Sequence, residues 1–164
     1  VNMKNNTILS NDNTSDTFIE IDDKIVKNQI KNRVECKKLD NIFKNVDLSE
    51  HDIIIKIDTQ GFESDVLKGG KDLITKYKPN IIIEIKNYTS KRYGKSTKSL
   101  YDSIRNLGYQ IFLIAAQYPV EHFCIHNDNV EKFRQKYKNF IKPNIHNIDE
   151  NKAMDNGVTE MIKF

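Results

Sequence analysis

Cysteine is scarce in this chain. Cys36 and Cys124 are the only two in 164 residues, too few for a disulfide framework or a cysteine-rich zinc site. A reducing compartment, the cytoplasm, is the expected setting. Long apolar stretches are missing too. Runs such as Ile53-Ile54-Ile55 and Ile81-Ile82-Ile83 suit strands and fall far short of the roughly 20 residues that span a bilayer, so no membrane partner is expected. No basic segment followed by an apolar one opens the chain, and no secretory leader is expected. Blocks of like charge are also absent. The 26 Lys+Arg and 23 Asp+Glu are interleaved and leave a net +3, a weak argument for nucleic acid. The counts of 22 Lys, 19 Asn and 23 Ile against 3 Ala match the usage of an AT-rich genome, so much of the basicity reads as codon bias. Glycine is the most uneven residue. All 6 lie at 61, 69, 70, 94, 108 and 157, none in residues 1–60.

What is present reads as one domain. Residues 1–16 are polar, with only Ile8-Leu9 apolar, and read as a lead loop with one short strand at most. Thr17–Ile21 and Arg33–Lys37 suit strands, and Leu39–Phe43 a short helix. Asp52–Asp58 (DIIIKID) is nearly continuous apolar sequence, which predicts a strand covered on both faces. Phe62–Lys78 places Val66, Leu67, Leu73, Ile74 and Tyr77 on one helical face and ends at Pro79. Asn80–Lys86 (NIIIEIK) predicts a second buried strand. Strand, helix and strand make a parallel crossover unit. A helix from Ser96 or Thr97 to Leu107 follows, closed by Gly108. Tyr109–Ala115 and Val120–His126 read as an antiparallel hairpin turning at Gln117-Tyr118-Pro119. Val130, Phe133, Tyr137 and Phe140 suit a last helix. The tail beyond Pro143 is polar, with one short docked element possible at Val158–Phe164. The expectation is an α/β domain whose mostly parallel sheet is closed by an antiparallel hairpin.

In such sheets ligands bind beyond the carboxyl ends of the parallel strands. That rule selects Asp58–Glu63 and Lys86–Gly94. Asp58, at a strand tip, is placed to orient a substrate hydroxyl, accept its proton or hold a cofactor amine. It is equally placed to cap the following helix. Gly61 lets the backbone turn sharply beside a ligand. Tyr88, Arg92, Tyr93 and Lys95 form a basic and aromatic cluster suited to a sugar or phosphorylated acceptor, or a solvated loop. His122, Cys124 and His126 alternate on one strand and span roughly 14 Å, too far to share one ion easily. No metal is expected.

The segment Lys56-Ile57-Asp58-Thr59-Gln60-Gly61-Phe62-Glu63-Ser64-Asp65-Val66-Leu67-Lys68-Gly69, followed by Pro79 and Ile81-Ile82-Ile83-Glu84-Ile85, resembles the FkbM-type methyltransferases. Leu39-Asp40 resembles a pair that often precedes that motif, and Gln60 stands where many members carry Glu. The resemblance covers about residues 34–127. It implies a Rossmann-like class I methyltransferase fold, with S-adenosyl-L-methionine as cofactor and a hydroxyl of a sugar, glycan or other small molecule as acceptor. It implies catalytic roles for Asp58, Glu63 and Glu84, and cofactor contacts from Asp58, Gln60 and Gly61. Tyr88, Arg92 and Tyr93 fall where substrate would bind. Asp58 is the expected group beside the reacting methyl, and Glu63 a support for local backbone or for a side chain of the site. Glu84 is read either as a site acid or as a structural acid paired with a lysine.

The family's glycine-rich first strand and turn, and the acid that takes the ribose hydroxyls, have no counterpart here, since residues 1–60 hold no glycine. The sequence is therefore read as the C-terminal part of a methyltransferase domain. Residues 1–16 form a polar lead, 17–141 the FkbM-like portion and 142–164 a polar tail. The start at Val1-Asn2-Met3 agrees with a piece of a longer chain. Such a piece is expected to bind the cofactor poorly and to transfer no methyl group alone. The expected partner is the missing N-terminal half, or another chain, at an exposed sheet edge. The alternative is a degenerate, non-enzymatic interaction module.

Overall fold

The computed structural model describes residues 6–10, 17–20, 30–114, 121–142 and 160–162. Strands β1 (Asn6–Ser10), β2 (Thr17–Glu20) and β3 (Ile30–Val34) form an antiparallel sheet in the order β2-β1-β3. The third strand lies three residues before the expected Arg33–Lys37. Helix α1 (Leu39–Ile42) follows.

The larger sheet contains β4 (Ile54–Ile57), β5 (Asn80–Glu84), β6 (Tyr109–Ile114), β7 (Glu121–His126), β8 (Ile141–Lys142) and β9 (Glu160–Ile162). Their order is β4-β5-β7-β6-β9-β8. Strands β4 and β5 are parallel, while β7 runs antiparallel to both β5 and β6. The sheet is therefore mixed and not mostly parallel as expected, because the hairpin does not simply close it: its second strand is inserted between β5 and the first, antiparallel to both. The expected turn at 117–119 lies outside the described residues. In the tail, β9 pairs parallel with β6 and antiparallel with β8.

The β4–β5 crossover is two helices, not the single one expected over Phe62–Lys78. Helices α2 (Glu63–Gly69) and α3 (Lys71–Tyr77) meet at Gly70, whose φ of −118° leaves the helical range. A Cβ on Gly70 would meet Leu39 Cδ1 at 3.0 Å. Asp40 accepts from the amides of Asp72 and Leu73 at 3.3 and 3.0 Å. It caps the start of α3 from a separate helix, satisfying N–H groups that the break exposes. Lys78, in a left-handed conformation, and then Pro79 end α3.

Helices α4 (Asn87–Arg92), α5 (Thr97–Asn106) and α6 (Asn127–Tyr137) complete the described elements. The first of these occupies a segment read as crevice loop. Two apolar clusters lie on opposite sides of the sheet. Ile57, Ile81, Ile83, Ile111 and Leu113 pack with Leu67, Ile74, Leu100 and Ile104 from the helices. Phe112, Ile125 and Phe123 pack with Val130 and Phe133 of α6. Ile111 and Leu113 face one cluster and Phe112 the other, which is the period-2 alternation of a strand.

Strand β4 corrects the expectation of a strand covered on both faces. Ile55 and Ile57 pack inward, whereas Ile54 is 64% exposed and Lys56 and Asp58 are exposed beside it. One face of β4 is open because the helices of its crossover lie on the other.

Candidate active site

The tips of β4, β5 and β7 converge. Asp58 directly follows β4, Glu84 ends β5, and Glu121 opens β7 opposite Glu84 in the antiparallel register. One carboxylate oxygen of each lies within 4.8 Å of the others. Glu84 is buried and Asp58 exposed.

Amide and ammonium groups hold these acids together. Gln60 Nε2 donates to Asp58 Oδ1 at 2.9 Å and to Glu84 Oε2 at 3.1 Å, bridging two carboxylates. Lys56 Nζ donates to both oxygens of Glu121, at 2.8 and 3.0 Å, and lies 3.7 Å from Asp58. Lys86 Nζ pairs with Glu84 Oε1 at 2.7 Å. By distance alone the three acids would surround a cation, but Lys56 already pairs with Glu121 and Asp58, and Lys86 with Glu84. Burial pushes the Glu84 carboxyl above its ordinary value, the bond from Lys86 opposes this, and the Asp58 charge adds to it.

The turn that presents Gln60 is unusual backbone. Gln60 has φ +52° and Gly61 φ +111°. The second value is in effect reserved for glycine. Glu63, 3% exposed, stabilises it from within. Its Oε1 accepts from the Gly61 amide at 2.9 Å and from the Thr59 amide and hydroxyl at 3.3 Å each. Contact with local backbone is one of the two roles expected of this acid. Lys95 grips the turn from outside. Its Nζ donates to Gly61 O at 2.9 Å, pairs with Asp65, and lies 4.2 Å from the centre of the Phe62 ring. Tyr93 packs against Phe62 with ring centres 4.5 Å apart and the planes tilted by 58°. Tyr88 and Arg92 belong to α4 at the same end of β5, but their side chains lie outside the described residues.

The structure thus brings Asp58, Gln60, Gly61, Glu63 and Glu84 into one place. Glu84 is paired with Lys86, as one of its two readings expected, and it also lies beside Asp58 at the strand tips. Sequence reasoning missed Glu121 and Lys56. Lys56 alternates with Ile55 and Ile57, a period-2 signal of an exposed face that the isoleucine run concealed.

His122, Cys124 and His126 serve packing. The His122 ring nitrogen Nε2 meets the Tyr101 hydroxyl at 2.8 Å inside the core. Cys124 is fully buried, and burial raises its thiol pKa. His126 Nδ1 accepts from the Asp128 amide at the start of α6. Among the described residues no helix is long and apolar enough to cross a membrane.

A comparison with protein families matches residues 3–111 to the Methyltransferase FkbM domain. No curated protein and no solved structure matches the chain.

Proposed function

Because the chain belongs to the FkbM methyltransferase domain family, we propose that its crevice is the reacting end of an S-adenosyl-L-methionine-dependent O-methyltransferase. The acceptor is a hydroxyl of a sugar, glycan or another small molecule. The observation that carries this reading is the Asp58–Glu63 segment. It forms a strand tip, a left-handed turn and a helix start, with an exposed carboxylate fixed by a neighbouring amide. Parallel β4 and β5, joined through helices, support a Rossmann-like fold.

When bound, the cofactor supplies a methyl group on a positively charged sulfur. Asp58, the exposed carboxylate of the three, suits such a charge. Gln60 Oε1 is buried without a partner, an orphan acceptor at the turn that an arriving donor would satisfy. Asp58, Gln60 and the Gly61 backbone would hold this end of the cofactor. The nucleotide end has no glycine turn to meet it in residues 1–60.

In this reading Asp58 orients the acceptor hydroxyl and takes its proton. Glu63 keeps the turn in shape. Glu84 holds Gln60 in place and sets the local charge. Tyr93 lines the acceptor side, and α4 carries residues 88 and 92 at the same end of β5. The chain is the C-terminal portion of the domain, with a lead over 1–16, the methyltransferase portion over 17–141 and a tail over 142–164. The outer edge of β4 is where the N-terminal half, or another chain supplying it, adds its strand.

Activity assays test this. The 164-residue chain alone is expected to transfer no methyl group. A longer form carrying a glycine-rich strand and turn upstream is expected to do so, and to lose at least about 100-fold in rate in D58N. Turnover by the short chain would contradict the half-domain reading. A longer form that neither binds nor uses the cofactor would contradict the methyltransferase reading. The exposed Ile54 at the β4 edge favours one second reading, an interaction module that has lost its chemistry. It predicts partner capture that D58N leaves unchanged.

A further inference from the structure

We propose that Asp58 and Glu84 act as one proton-sharing pair, bridged by the Gln60 amide, with Asp58 as the exposed member and Glu84 as the buried reservoir behind it. The role given to the pair rests on the reading above, in which the crevice removes a hydroxyl proton. The test of the pair does not.

A single side-chain nitrogen reaches both carboxylates, at 2.9 Å to Asp58 Oδ1 and 3.1 Å to Glu84 Oε2. A Gln can do this because its two N–H bonds diverge, while a Glu at position 60 would add a third negative charge and no donor. The two acids sit in unlike surroundings, one exposed and one buried. Unlike environments separate two titrations and assign them different tasks. Among the described residues the charged groups facing the pair are Lys56 on β4, Glu121 on β7 and Lys86 after β5. The ammonium of Lys56 is occupied mainly by Glu121, and Lys86 holds the far oxygen of Glu84. That leaves the near oxygens of Asp58 and Glu84 to the amide and to each other.

When an acceptor hydroxyl reacts, its O–H bond breaks and its electron pair forms the new O–CH3 bond, while the methyl carbon would part from the cofactor's sulfur, which would keep the S–C electron pair. The proton goes to an Asp58 oxygen. The Glu84 carboxylate stands behind it within 4.8 Å, held by the same Gln60 amide.

The test is a pH titration of the side-chain carboxyl carbons of Asp58 and Glu84, followed by 13C NMR on the 164-residue chain. Each carboxyl is expected to report two steps, its own and its neighbour's, with the main Glu84 step above the ordinary glutamate range. Two variants are expected to move that step in opposite directions. D58N removes a like charge and lowers it by about half a pH unit or more. Gln60→Asn suits the left-handed backbone but is one methylene too short to bridge, so Glu84 loses a donor to its charged form and its step rises. Opposite shifts cannot come from general loosening of the fold. Single-step titrations, or a Glu84 step unmoved by D58N, overturn the pair. If the pair titrates as stated while a longer form binds no cofactor, the methyltransferase reading falls and the pair stands.

Discussion

Glu63 illustrates how one residue sets the site. It is buried, and its oxygen takes three donors from the Thr59–Gly61 turn. Hydrogen bonds to a buried charge contribute about 1.5–3 kcal/mol each in isolation and do not add fully. E63A is therefore expected to lose about 2–4 kcal/mol, and E63Q, which keeps an acceptor, clearly less; urea denaturation separates the two. Glu84 sets a pH dependence. Its folded carboxyl titrates above the ordinary 4.5, so the stability it contributes is complete below that value and is lost as pH rises through the folded one. Unfolding midpoints measured across that window are expected to fall for the native chain and to run flatter for E84Q. At this scale the sequence was most legible where the residues are local. Asp58, Gly61 and Glu63 fall within one turn, and contact of Glu63 with local backbone was one of the two alternatives expected of it. Glu121 lies 65 positions from its partner Lys56. Only the register of β7 against β5 brings it to the site, and nothing in its own neighbourhood signals that.

Between elements, the junction of α1 with the α2–α3 break is the informative contact. Asp40 caps α3 from outside, and Gly70 leaves room for the Leu39 side chain beside it. D40A is expected to cost about 1 kcal/mol and to speed hydrogen exchange at the Asp72 and Leu73 amides, where D40N retains most of the protection. G70A is expected to cost about 1–3 kcal/mol through the clash with Leu39. The two losses are expected to be less than additive, because displacing α1 already withdraws the cap. The break was not legible because the apolar face continues across it. Val66 and Leu67 precede Gly70, Leu73 and Ile74 follow it, and a lone glycine does not by itself end a helical pattern. The cap was not legible either, since its two halves are more than 30 residues apart.

For the whole molecule, the crossover and hairpin were predicted as elements, but not the order in which they assemble. An antiparallel hairpin specifies that β6 and β7 pair, not which of them joins β5. Insertion of β7 places Glu121 beside Glu84 and so completes the acid cluster. The open face of β4 was hidden for a different reason. Isoleucine in three consecutive positions masks an alternation in which only Ile55 and Ile57 are inward. Ile54→Lys is accordingly expected to change stability in urea denaturation by no more than about 0.5 kcal/mol. The central claim is that these residues form the reacting end of a methyltransferase without its nucleotide cradle. Calorimetric titration of S-adenosylhomocysteine into the 164-residue chain tests it most directly. The account predicts no saturable binding in the micromolar range, and a one-to-one micromolar isotherm would contradict it.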